Sequence, residues 1–218
     1  MDEELRLWAV NVDVFRQCFA APSELADTLR EVTNSVTPSA PEVRSGLLSK
    51  LGPLMRNPPQ APRIRPGVPN NLDGEAMMTS RYIDTDRLSA CWVLAQAWLD
   101  HLALAHTRIP LPMAQFEELE FDLVRTGIST QVSIRQLWRH TIDIPLRATD
   151  SMTIGYMEYP VVLRLIEEWE SAVEEMEEGT AQFATHLLQF TRAYPDFAEQ
   201  AAANNAPPPD MIAWWTSR

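Results

Sequence analysis

Glycine is scarce in this chain. Only seven occur in 218 residues, and none repeat at the spacing of a dinucleotide or Walker phosphate loop, which sets nucleotide binding through those folds aside. Cysteine is scarcer still: Cys18 lies near Phe15 and Phe19, and Cys91 beside Trp92, so both read as small buried hydrophobes rather than as a disulfide or a catalytic thiol. Lysine is almost missing, with Lys50 the single one among 18 cations. No apolar run approaches the ~18 residues that cross a bilayer. The opening Met1-Asp2-Glu3-Glu4-Leu5-Arg6 has neither the basic start nor the apolar stretch of a secretory signal, so a cytoplasmic protein is expected.

What the chain has in excess is carboxylate: 30 Asp and Glu give a formal net charge of −12. That field repels phosphate, so nucleic acid and anionic membranes are poor partners, whereas a basic protein is met quickly through complementary charge. The hydrophobic fraction of 45% is ordinary for a globular protein, and a chain of this length buries enough surface to fold without metal or disulfide.

Residues 5–11 alternate and favour a strand, followed by a short helix capped at Asp13 and a second helix headed by Ser23 with Leu25, Leu29 and Val32 on one stripe. From Thr37 to Pro69 eight prolines forbid a long helix or inner strand; a short helix over 42–50 survives, and 52–75 reads as an extended basic loop. Asp84 then caps the strongest helix, over 86–104. Leu88, Cys91, Trp92, Ala95 and Leu99 form one stripe and Leu94, Trp98 and His101 another, which places it at the centre of the fold with His101 as a core histidine. A break is expected at Arg108-Ile109-Pro110-Leu111-Pro112. The next helix has Phe116, Leu119, Leu123 and Val124 inward and Glu117, Glu118 and Asp122 outward, with Gly127 as a left-handed cap. Strands are expected near 142–146 and 152–157. Pro160 opens a long helix that Gly179 ends, and two shorter helices follow.

The fold class is therefore α+β, a mostly helical single domain with a small sheet over residues 1–203. Residues 204–218 are a Pro-rich spacer and an apolar Trp214-Trp215 tail, expected to pack back on the body or dock on a partner.

Catalytic motifs are missing. There is no G-x-S-x-G elbow, H-E-x-x-H or C-x-x-C, and His101 and His106 diverge by about 140° on a helix. No catalytic residue, metal or cofactor is expected. The most distinctive cluster is seven glutamates within residues 167–178, of which Glu167, Glu170, Glu174 and Glu178 project into one sector of about 80° on a continuous helix, with Arg164 as their one local cation.

Leu137-Trp138-Arg139-His140-Thr141-Ile142-Asp143-Ile144-Pro145-Leu146, running into Ile154-Gly155-Tyr156, resembles an uncharacterised bacterial family of domains of unknown function, and more remotely the YfbM-like proteins. Its members open with a strand similar to Leu7-Trp8-Ala9-Val10 and carry a central helix like 86–104, then a "P-L-P" strand and an "I-G-Y" turn. The likeness spans about residues 5–20 and 82–175. It departs at Ala148-Thr149-Asp150-Ser151-Met152, where the family shows acidic residues and "F-P". The resemblance implies a small α+β domain and transfers no catalytic residue.

Two functions follow. The first is a non-enzymatic module, immunity- or antitoxin-like, that offers Glu167, Glu170, Glu174 and Glu178 to a basic protein. The alternative is a small-molecule-binding or enzymatic site beneath the Pro-rich loop, with Arg81 and Arg139 as anion anchors.

Overall fold

The computed structural model describes residues 3–38 and 65–216. Most of the expected Pro-rich loop, and the helix expected over 42–50, lie outside the described residues. Four antiparallel strands, β1 (Glu4–Val10), β2 (Ala105–Pro110), β3 (Met152–Met157) and β4 (Asp210–Thr216), form one sheet in the order β2-β1-β4-β3. Helices cover both faces. α1 (Val12–Gln17), α2 (Ser23–Val36), α3 (Asn71–Met78) and α4 (Leu88–Leu102) form one layer; α5 (Met113–Arg125), α6 (Tyr159–Ala172), α7 (Glu178–Thr191) and α8 (Tyr194–Ala203) form the other.

The period-2 geometry of a strand feeds two cores from one sheet. Leu5, Leu7 and Ala9 of β1, with Met211 and Ala213 of β4, pack under α5 to α7, while Trp8 and Val10, with Ile212 and Trp214, pack under α1 to α4. Indole N–H groups tie the packed elements together: Trp8 of β1 donates to Asp100 of α4 (2.7 Å), Trp98 of α4 to Thr33 of α2 (3.2 Å) and Trp169 of α6 to the Val132 carbonyl (2.8 Å).

The α+β, mostly helical class holds, and β1, β3, α2, α4 and the start of α6 stand where expected. Several elements do not. Residues 142–146 are not a strand: Asp143 takes a left-handed φ of 54°, which turns the run, so Ile142 and Leu146 bury in the core while only His140 bridges to Tyr156 of β3. Ile154-Gly155-Tyr156 is strand rather than turn. The helix break falls at Ala103, and 105–110 is strand β2 instead of a linker. The tail does pack back, as inner strand β4 between β1 and β3.

Within the expected loop, 71–75 belong to α3, where Asn70 and Asp73 form a reciprocal capping box, and Arg87 clamps this segment to α4 through Asp73 (Nε to Oδ1, 2.9 Å) and the Val68 carbonyl (2.8 Å). Gly127, at φ 79°, closes α5 with the paired bonds Ile128 N–H to Leu123 and Gly127 N–H to Val124.

Candidate functional site

Helicity does not run through the glutamate cluster. α6 ends at Ala172, a 3-10 turn covers Val173–Glu175, Met176 drops extended and buried into the core, and α7 begins at Glu178. Gly179 therefore lies in the first turn of α7 and ends nothing.

The cause is Asp122 of α5. Expected outward, it is buried, and Val124 takes the exposed position instead. Asp122 accepts from the Glu177 N–H (2.9 Å) and the Thr180 hydroxyl, and Arg125 beside it donates to the Glu175 carbonyl (2.8 Å). Burial raises the carboxyl of Asp122, but the bonds from Thr180, Glu177 and Arg125 outweigh it and hold it below the usual 3.8. A buried acid has become the remote cap of α7.

With the turn pinned from behind, its carboxylates face out. Glu167, Glu170, Glu174, Glu175, Glu177 and Glu178 are all exposed, spread over the end of α6, the turn and the start of α7 as a ledge rather than one helical face. Two compensations were not legible from local spacing: Arg192 pairs with Glu170 (2.6 Å), and Glu168 accepts from the Ser129 N–H (2.9 Å) as well as from Arg164. Among the described residues Glu167, Glu174, Glu175, Glu177 and Glu178 have no ion-pair partner. Glu177 and Glu178 suit the positive end of α7, but Glu174 and Glu175 follow the negative end of α6, an arrangement that costs about 0.3–1 kcal/mol each.

Arg81 and Arg139 are exposed, and neither lines the cleft beside Asp210 or the cleft along β2. The first cleft, about 310 Å³, lies where the ends of β1 and β3 meet Asp210. Asp210 accepts from the first N–H of α1 (Val12, 3.0 Å) and of α6 (Tyr159, 3.3 Å), and so fastens two helix starts to β4. Arg16 at its rim is bonded to Asp13 (2.8 Å) and the Ile142 carbonyl (2.7 Å).

Burial lifts the Asp210 carboxyl above its ordinary 3.8, against the two amides, with Glu158 and Asp13 adding repulsion. The folded state thus holds this proton more tightly than the unfolded one. The contribution is fully present below about pH 3.8 and is lost as pH rises through the raised value. The melting temperature of the wild type, minus that of Asp210→Asn, is expected to fall between about pH 4 and pH 7; a pH-independent difference would contradict this coupling.

His101, expected in the core, is exposed, because its side of α4 faces solvent at the helix end. Burial pushes both thiols, Cys18 and Cys91, up to about 12, and both are unpaired. Among the described residues no three His, Cys, Asp or Glu side chains gather as a metal set, and no helix is long and apolar enough to cross a membrane. Comparison with family models, curated proteins and solved structures finds no match.

Proposed function

We propose that this chain is a non-enzymatic binding protein of the cytoplasm that presents the acidic ledge between α6 and α7 to a basic protein, in the manner of an immunity or antitoxin partner. One observation carries the reading. Five exposed carboxylates without an ionic partner among the described residues are displayed over the end of α6, the turn and the start of α7, and the turn is held from behind by Asp122 and Arg125. Preorganised charge of one sign speeds encounter with the opposite sign, and little ordering is needed on binding. The net charge of −12 argues in the same direction and against nucleic acid. Two buried, unpaired thiols suit a reducing compartment.

The test compares two triple charge reversals of equal net change: Glu167, Glu174 and Glu178 to Lys on the ledge, and Glu24, Glu31 and Glu199 to Lys elsewhere. Affinity capture from lysate is expected to recover a basic partner with the wild type and the control, and to lose it with the ledge variant. Equal recovery, or equal loss, with both variants would defeat the reading.

A further inference from the structure

The outer edge of β2 faces no strand among the described residues. The Leu111 N–H donates to the Glu3 carbonyl (3.0 Å), and bonded pairs alternate along an antiparallel ladder, so the bonded pairs of β1 and β2 are Leu5 with Ile109 and Leu7 with Thr107. His106 and Arg108 therefore turn their N–H and C=O groups outward. The opposite edge of the sheet is treated differently: on β3, the outward Tyr156 N–H is taken by the His140 carbonyl at 3.1 Å.

A cleft of about 360 Å³ follows the open edge, lined by His106, Thr107, Arg108, Ile109 and Pro110 of β2 and by His186, Gln189 and Phe190 of α7. Successive strand residues point to opposite faces, so a single cleft touching five in a row runs along the edge rather than over a face. No carboxylate lines it. On a chain of charge −12, the charged side chain lining this cleft is the Arg108 guanidinium, beside two histidines, and Arg108 has no ion pair among the described residues.

We propose that this edge accepts an extended segment of a partner protein as a fifth strand, with acidic residues two apart and an apolar residue between them. The main chain of the guest pairs with His106 and Arg108. Its acids lie opposite those two side chains on one face, one of them against the Arg108 guanidinium, and the residue between turns toward Phe190. Pro110, lacking an N–H, limits the segment to a short one. The surface is separate from the ledge and takes the opposite charge, so either reading can fail alone.

The test uses the full chain, labelled with nitrogen-15, and the probe peptide acetyl-Glu-Val-Glu-Val-Glu-amide beside its Lys-Val-Lys-Val-Lys counterpart. Saturable amide shifts confined to residues near 105–110 and 186–190 are expected, with the lysine peptide at least about tenfold weaker. Arg108→Gln is expected to weaken binding severalfold by removing charge. Arg108→Pro removes the outward N–H while sparing the bonds to β1, and is expected to abolish it. Equal binding of the two peptides, shifts centred elsewhere, wild-type affinity in folded Arg108→Gln, or no shifts at millimolar probe would each overturn the proposal.

Discussion

A chain ending at Pro209 is expected to show no cooperative thermal transition. β4 is the inner strand, bonded to β1 on one side and β3 on the other, and its Met211, Ile212 and Ala213 are fully buried. Its loss strips apolar contacts from both cores at once, at ~1.5–3 kcal/mol for each large side chain, and leaves two ladders unpaired. Removing Asp210 as well unfastens the starts of α1 and α6. The sum is comparable with the whole ~5–15 kcal/mol by which a domain is stable. Scanning calorimetry checks it: a truncated chain that melts cooperatively within a few degrees of the full one would show that the tail is an appendage.

Gly155→Ala is expected to cost about 4 kcal/mol or more, a size that ordinary substitutions do not reach. A Cβ at this position would stand 2.6 Å from the Trp138 Cα, 2.8 Å from the His140 carbonyl oxygen and 2.9 Å from that of Leu137. All three are main-chain atoms, which cannot swing aside as a side-chain tip would. Relief requires the 137–140 segment to leave β3, breaking the bond from Tyr156 to His140 and exposing Leu137. Urea unfolding of the variant measures the loss; a change below about 1 kcal/mol would mean that the segment is not held there.

What was legible from residues alone follows from where the deciding interactions lie. The stripes of α2 and α4 and the alternation of Leu5 to Val10 are local patterns, and a local pattern settles a local element. β2 is different: Ala105-His106-Thr107-Arg108 has no apolar alternation, and it is a strand because β1 lies beside it. β4 is a continuous apolar run, which marks burial on both faces without saying as what. Within α3, the pair Asn70 and Asp73 was a readable helix start hidden by the surrounding prolines.

The candidate site divides the same way. Exposure of Glu167, Glu170, Glu174 and Glu178 was legible because nothing apolar shares their positions. The turn that separates them was not, since it is imposed by Asp122 from 55 residues away. The open edge beside α7 exists only in the assembled sheet.

The claim on which the functional account rests is that binding happens at the ledge. Hydrogen exchange of the full chain, alone and with the captured partner, goes straight to it. Slowed exchange concentrated in residues 167–180, weakening as salt is raised, is what the account predicts. A footprint that leaves those amides unchanged and falls on the α1 to α4 layer would contradict it.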